Sequence, residues 1–195
     1  KNALIYWRFL FFYVKICSLV RESMNRKCVL VTGSSIGLGA SIIKKYASND
    51  YDVIITYNNH KEEALKLKDE IISKYKVNAL VVKCDISNEK DIENLKNEIL
   101  NIFGKLDVLV NNASIAMDSI IEDKTKDNFM RILEVNLVGT FLMSRCFGDI
   151  MKNQGYGMVM TSTQVDEDAQ HFYRKLGYKD CGGFTVDIPG YEQPM

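Results

Sequence analysis

A glycine-rich turn between a β-branched apolar run and a helical pattern is the feature that most restricts how this chain folds. The run CVLVT ends at Thr32, the turn continues as TGSSIGLG over residues 32–39, and GASIIKKYASND then has helical spacing. Three more apolar runs, DVIITY, ALVVKCD and LDVLVNN, come next, with a helical pattern between each pair. Strands that are apolar throughout and separated by helices indicate a parallel sheet covered on both faces.

The helical segments complete this prediction. They read KEEALKLKDEIISKY, then NEKDIENLKNEILNIFG with Asn88 as its N-cap, then TKDNFMRILEVNLVGTFLMSRCFGDIMKN as a helix, a break and a second, mostly apolar helix. We therefore predict an α/β fold over residues 24–153: a doubly wound, Rossmann-like parallel sheet that is truncated. Residues 154–195 are predicted to add a short strand–helix–strand (β-α-β) appendage.

Composition excludes several classes of partner. Among 195 residues, Lys and Arg number 25 and Asp and Glu number 25, so no net field attracts nucleic acid or an anionic membrane. The 5 cysteines are odd in number and form no CxxC pair, and there are 2 histidines. This pattern is typical of reduced thiols in a cytoplasmic protein, and we predict no metal site.

The first segment, residues 1–23, is apolar but differs in character from the rest of the chain. Arg8 and Lys15 interrupt it, and its longest apolar run, FLFFYV over residues 9–14, is far shorter than the roughly 20 residues of a membrane span. It precedes Met24, the first methionine. We interpret it as an extension that is not native to the fold; a membrane-surface anchor helix is the alternative.

Polar and glycine residues cluster where the predicted strands end. At Gly33, Gly37 and Gly39 a side chain would hold the backbone away from a pyrophosphate, which the helix start binds through free N–H groups. Ser34 and Ser35 supply hydroxyl donors. Asp85 follows the third strand, NNAS over residues 111–114 follows the fourth, and Asn136 lies in the next helix. Ligands of open α/β sheets bind at the carboxyl ends of strands, so these residues are expected to share one site.

Four of these motifs, TGSSIGLG, CDIS, NNAS and EVNL, resemble the short-chain dehydrogenase/reductase family, and most of all its 3-oxoacyl-acyl-carrier-protein reductase branch. The resemblance implies an NAD(P)(H) cofactor, with Asp85 on its adenine side, and an active-site role for Asn136 in supporting a water of the proton relay. Ser114 departs from the commoner NNAG. The implied cofactor contacts are Thr32, Gly33, Ser34, Ser35, Gly37, Gly39, Asp85, Asn112 and Ala113.

The end of the second strand bears on the choice of cofactor. It reads ITYNN, without the acidic residue that binds a free ribose 2′-hydroxyl. Ile36 stands where many reductases of this branch carry an Arg for the 2′-phosphate, and Lys61 is a candidate substitute. We expect NADP(H) rather than NAD(H).

The family's catalytic pair is missing from the expected place. Hydride transfer to a carbonyl needs a proton donor, which the family supplies as Tyr-x-x-x-Lys on the helix after the fifth strand. The sequence contains this spacing at Tyr57 and Lys61, after the second strand, and Ser162 and Thr163 are weak matches for the serine that polarises the carbonyl. We predict a catalytically incomplete reductase with an unidentified small-molecule substrate.

The tail resembles a different family. Asp166, Ala169, Tyr173, Gly177 and Tyr178 follow the N-x-x-A-x-x-x-Y-x-x-x-G-F pattern of GNAT-type N-acetyltransferases, in which Tyr173 would reprotonate the coenzyme A thiolate. The loop that binds the coenzyme A pyrophosphate is missing.

Three readings therefore stand side by side. The chain is interpreted as a reductase-like domain fused between residues 153 and 161 to an acetyltransferase fragment. The alternatives are an acetyltransferase that transfers acetyl from acetyl-CoA to an amine, and a nucleotide-binding pseudoenzyme. The apolar helix around residues 135–147 further suggests a homo-oligomer.

Overall fold

The computed structural model describes residues 26–117 and 120–156, and these form a parallel sheet with helices on both faces. The strands are β1 (Cys28–Val31), β2 (Asp52–Tyr57), β3 (Ala79–Lys83) and β4 (Val108–Val110). The α-helices are α1 (Gly37–Ala47), α2 (Lys61–Tyr75), α3 (Glu89–Phe103), α4 (Lys126–Leu133) and α5 (Thr140–Asn153). A 3-10 turn (Ile121–Asp123) precedes α4, and a π-helical segment (Glu134–Gly139) joins α4 to α5.

The strand order is β3-β2-β1-β4, with every pair parallel. Val29 of β1 pairs with Val53 of β2 on one side and with Val108 of β4 on the other. The chain thus winds outward from β1 to β3 and then crosses back to the far side of β1. In open α/β sheets such a reversal of strand order creates a ligand-binding crevice outside the carboxyl ends of the two strands, here β1 and β4.

Alternate residues of β1 supply two separate hydrophobic cores. Leu30 faces α3 and α5, where Leu95 and Phe147 are fully buried, while Val31 faces α1 and α2, where Ile43 and Ile71 are fully buried. A strand whose two faces are both covered in this way reads as a continuous apolar run, which is what CVLV shows. The predicted doubly wound α/β sheet is confirmed.

The local predictions hold with small changes at the element ends. The helix predicted as KEEALKLKDEIISKY has the bounds of α2, and the Asn88 side chain caps α3 by accepting a hydrogen bond from the Lys90 N–H at 2.9 Å. The break predicted after α4 is wrong. The chain stays helical there and changes to π-helical hydrogen bonding over Glu134–Gly139, so α4 and α5 form one helical run.

The chain divides into two units, Lys1–Gln154 and Gly155–Met195, and the sheet with its helices belongs to the first. The predicted extension at residues 1–23, Tyr173 and the predicted appendage from residue 157 onward lie outside the described residues. No helix within 26–117 and 120–156 is both long enough and apolar enough to cross a membrane.

Candidate functional site

The glycine-rich turn after β1 is fixed to the neighbouring strand by Thr56. The backbone N–H of Gly33 donates to the Thr56 hydroxyl at 3.0 Å, and the N–H of Ser34 donates to the Thr56 carbonyl at 3.0 Å. In return, the Thr56 N–H donates to the Ser34 hydroxyl at 3.1 Å. Because Ser34 and Thr56 are buried, these bonds hold the turn in one conformation.

The three glycines of the turn differ in what an added side chain would contact. A Cβ on Gly33 would lie 2.9 Å from the Ala113 Cα, and one on Gly39 would lie 2.6 Å from the Asn112 amide nitrogen and 2.7 Å from the Gly33 carbonyl oxygen. At Gly37 a Cβ would meet no atom within 4 Å. Gly33 and Gly39 therefore allow close packing of neighbouring protein atoms, whereas Gly37 alone of the three has no protein atom beside it.

Helix α1 begins at that open position without a capping side chain. Its N-cap residue, Ile36, makes no side-chain cap hydrogen bond, and the first turn contains no acidic residue. The first N–H groups and the positive end of the helix dipole are thus left for an external anion. Gly37 has a φ of 59°, in the left-handed region that glycine adopts without strain.

Thr32, Asn112 and Ala113 join the ends of β1 and β4. The buried Thr32 hydroxyl accepts hydrogen bonds from the Asn112 N–H and the Ala113 N–H, both at 2.9 Å. The Asn112 side-chain amide donates to the Thr32 carbonyl at 2.8 Å. These predicted cofactor residues are brought together, and their mutual bonds set the shape of the crevice.

The carboxylate of Asp85, in the loop after β3, accepts hydrogen bonds from Ser87 in the same loop and from Arg131 of α4. One carboxylate oxygen accepts from the Ser87 N–H at 2.9 Å and the Ser87 hydroxyl at 2.6 Å, and the other accepts from the Arg131 guanidinium at 2.9 Å. Partial burial by itself raises the pKa of Asp85, but the Ser87 hydrogen bonds and the Arg131 charge outweigh it and lower the pKa below its usual value. The carboxylate is therefore ionised at neutral pH.

Asn136 lies in the π-helical segment and bonds to the loop after β4. Its side-chain oxygen accepts from the Ile115 N–H at 2.9 Å, and its amide nitrogen donates to the Ile115 carbonyl at 2.9 Å. Its own backbone carbonyl accepts from the Thr140 hydroxyl at 2.9 Å. The side chain therefore positions the loop that follows the NNAS motif.

The Tyr57–Lys61 spacing does not form a catalytic pair of the family's type. Tyr57 is the last residue of β2 and Lys61 is the first residue of α2, so the two are not one turn apart on a helix. Asn58, Asn59 and His60, which connect them, are exposed. Within the described parts of the chain, no group of three or more His, Cys, Asp or Glu residues is arranged to hold a metal ion.

Arg131 and Thr56 contribute to this crevice and were not predicted from the sequence. Arg131 reaches a partner 46 positions away, and nothing in the helical pattern distinguishes it from a solvated basic residue. Thr56 reads as an ordinary β-branched strand residue.

Comparison with known families settles the class of the chain. The family model described as short chain dehydrogenase matches residues 27–171. The chain belongs to the short-chain dehydrogenase family. This match extends into the segment that resembled an acetyltransferase, and it gives that resemblance no support.

Curated relatives of this short-chain dehydrogenase include two informative proteins. A 3-oxoacyl-acyl-carrier-protein reductase of Aquifex aeolicus is 36% identical over 73% of this chain and 57% of its own length. An NADP-dependent mannitol dehydrogenase of Hypocrea jecorina is 30% identical over 80% of this chain and 60% of its own length. The chain thus spans little more than half the length of the curated relatives it matches.

Solved structures show the same fold. An alcohol dehydrogenase of Thermococcus sibiricus, complexed with 5-hydroxy-NADP, is 26% identical and aligns with a TM-score of 0.63 over 67% of this chain and 55% of that one. A short-chain type dehydrogenase/reductase of Mycobacterium marinum is 27% identical and aligns with a TM-score of 0.63 over 67% and 52%. The Rossmann-like architecture is therefore shared with members of the family.

Proposed function

We propose that this chain is the nucleotide-binding part of an NADP(H)-dependent oxidoreductase. The observation that carries the proposal is the open space at Gly37, which lies at the uncapped start of α1 and beside the crevice between β1 and β4. A pyrophosphate fits such a place because backbone N–H groups and the helix dipole both favour an anion there.

The remaining predicted residues are assigned to the two halves of the cofactor. Ser35 and the first N–H groups of α1 would contact the pyrophosphate, while Asn112 and Ala113 would face the nicotinamide side and Asp85 the adenine side. Thr32, Ser34 and the Asn112 side chain would also hold the crevice in shape, since they bond to other protein groups.

NADP(H) is the preferred cofactor in this proposal. The end of β2 offers Tyr57, Asn58 and Asn59, and so no carboxylate that would repel a 2′-phosphate. Lys61, at the start of α2, is the candidate cation for that phosphate. The NADP-dependent relative and the NADP-bound structural neighbour support the same preference.

We further propose that these 195 residues bind the cofactor without reducing a carbonyl. Bound NADPH supplies a hydride, but proton transfer to the carbonyl oxygen needs an acid that the family provides as a Tyr-x-x-x-Lys pair. The one such spacing in the sequence is split between β2 and α2. The Aquifex relative supports a 3-oxoacyl thioester as the substrate class of the complete reaction.

The experiment that tests this function is titration calorimetry, in which NADPH, NADH and coenzyme A are added separately to the full chain, with a parallel assay of NADPH oxidation in the presence of a 3-oxoacyl thioester. We expect saturable binding of NADPH, weaker binding of NADH, and no carbonyl-dependent oxidation of bound NADPH. Binding of coenzyme A without binding of NADPH would favour the acetyltransferase alternative instead. Steady oxidation of NADPH by a 3-oxoacyl thioester would refute the proposed lack of turnover.

A second copy of the chain is the proposed partner of the helical run from α4 to α5. Large apolar side chains are exposed along it: Phe129 is 55% exposed, Leu137 63% and Phe141 59%. Contiguous exposed apolar patches mark association surfaces, and we propose that these side chains form one. Light scattering should show that Phe141→Asp lowers the mass of the wild-type oligomer, while Ile102→Asp, a change at an exposed apolar residue of α3 outside the helical run, leaves it unaltered.

A further inference from the structure

The loop after β3 is tied to the helical run by a closed ring of hydrogen bonds. Ser87 donates its hydroxyl proton to Asp85 and accepts a hydrogen bond from Arg131 Nη1 at 2.8 Å. Arg131 Nη2 donates to the second Asp85 oxygen at 2.9 Å. Each donor in this ring has one acceptor, so the Asp85 carboxylate has a single orientation while Arg131 stays in place.

The same loop is also packed against the π-helical segment. A Cβ on Gly139 would lie 2.8 Å from Ile86 Cγ1 and 3.1 Å from the Ile86 carbonyl oxygen, so the helix and the loop are in direct contact there. Ile86 is buried. Packing therefore supports the loop backbone, and the contribution of Arg131 is to orient the Asp85 carboxylate and to neutralise its charge.

The helical run holds the loop after β4 through a different residue. Asn136 forms two hydrogen bonds with Ile115, and neither of them involves Arg131 or Asp85. The two loops that border the crevice are thus fixed by separate side chains. A change at Arg131 should disturb one loop and leave the other in position.

We propose that Arg131 is a positioning residue for the adenine half of the cofactor, acting by orienting Asp85 and cancelling its negative charge. The inference rests on the proposed function, since it assumes that the crevice binds NADP(H). Without the guanidinium, a partly exposed carboxylate would face a ligand that carries several phosphate charges, and like charges repel. Binding of the nicotinamide half, next to the loop that Asn136 holds, should be unaffected by this change.

The test compares three ligands and three variants of the full chain. The ligands are NADPH, adenosine 2′,5′-bisphosphate as the adenine half, and reduced nicotinamide mononucleotide as the other half. The variants are Arg131→Met, Arg131→Lys and the control Arg26→Met. The control removes an Arg–Asp pair in which Arg26 Nε lies 2.7 Å from Asp50, at the opposite edge of the sheet.

We expect Arg131→Met to raise the Kd of NADPH and of the bisphosphate about 5- to 30-fold, the range that one to two kcal/mol of lost interaction produces. The Kd of reduced nicotinamide mononucleotide should stay constant. Arg131→Lys should restore most of the affinity, because it keeps the charge, and Arg26→Met should change no Kd. Thermal unfolding should show a similar small loss of Tm for Arg131→Met and Arg26→Met.

Two results would overturn the inference. One is an unchanged Kd of the bisphosphate in Arg131→Met, and the other is an equal loss of affinity for both halves of the cofactor. If Arg131→Met is much less stable than Arg26→Met, the second test adds Asp85→Asn to Arg131→Met, which removes the carboxylate charge left without its partner; a Kd of the bisphosphate no lower than that of Arg131→Met alone would then reject the inference. A wild-type chain that does not bind NADPH would reject the proposed function itself.

Discussion

The two edges of the sheet both bury polar groups, yet they use them differently. At the amino edge, the buried Asp52 carboxylate accepts from the Asn78 N–H at 2.8 Å and from the Asn78 side chain at 3.1 Å, and Asp107 accepts from the Cys28 N–H at 2.7 Å. At the carboxyl edge, Thr32 and Asn112 join strand ends in the same manner. What distinguishes the carboxyl edge is the uncapped start of α1 beside them.

Gly37 and Gly104 show the same difference between the carboxyl and amino edges of the sheet. Gly37 and Gly104 both have a positive φ, 59° and 70°, and a Cβ at either would meet no atom within 4 Å. Gly37 begins α1, whereas Gly104 caps the carboxyl end of α3. Free N–H groups surround the first and carbonyl groups surround the second, so an anion is favoured only at Gly37.

Among the variants that test packing rather than cofactor binding, substitution of Gly39 should cause the largest loss of stability. In Gly39→Leu, the new Cβ would lie 2.7 Å from the Gly33 carbonyl and 2.8 Å from the Ser34 Cα, and backbone has to shift. We expect a loss of about 3 kcal/mol or more in the free energy of unfolding, measured by urea denaturation. Wild-type stability in this variant would contradict the assignment of Gly39 to protein packing.

Removal of a buried carboxylate at the amino edge should have the next largest effect. Asp52→Ala leaves the Asn78 N–H without its carboxylate, and we expect a loss of about 2 kcal/mol in the free energy of unfolding. The Kd of NADPH for the fraction that remains folded should equal that of the wild type. A Kd that rises together with the loss of stability would show that the two edges are not independent.

The charge of Asp85 should contribute the smallest effect. Its pKa is lowered in the folded state relative to the usual 3.8, so its stabilising contribution is complete well above that value and is lost as the pH falls through the folded-state pKa. Because the Arg131 side chain is 38% exposed, we expect under about 1 kcal/mol. Urea denaturation of wild type and Asp85→Asn should differ by this amount at about pH 7, and the gap should shrink as the pH falls below the usual pKa of 3.8; a gap that stays constant through this acid range would exclude a role for the Asp85 charge.

The fold was predictable because hydrophobic periodicity is a local property. The apolar residues of α2 repeat with the helical period, and the continuous apolar runs of β1 and β2 correctly indicated burial on two faces. The strand-end rule then placed Asp85 and Asn112 at the same edge before their neighbours were known.

The unpredicted features depend on contacts between distant segments. The Arg131–Asp85 pair spans 46 positions, and the contact that forbids a side chain at Gly39 comes partly from Asn112, on another strand end. The π-helical segment was read as a break, because a shift of one residue in the hydrogen-bond pattern leaves no signature in composition. Sequence spacing identified the glycines but not which of them faces the crevice.

One paired measurement tests the central claim, that the Gly37 side of the crevice holds the cofactor. Gly37→Trp and Gly104→Trp introduce the same indole at two open glycines of positive φ on opposite edges of the sheet. Titration calorimetry with NADPH should show saturable binding for the wild type and Gly104→Trp, and none for Gly37→Trp. Equal binding of NADPH by both variants would contradict the claim.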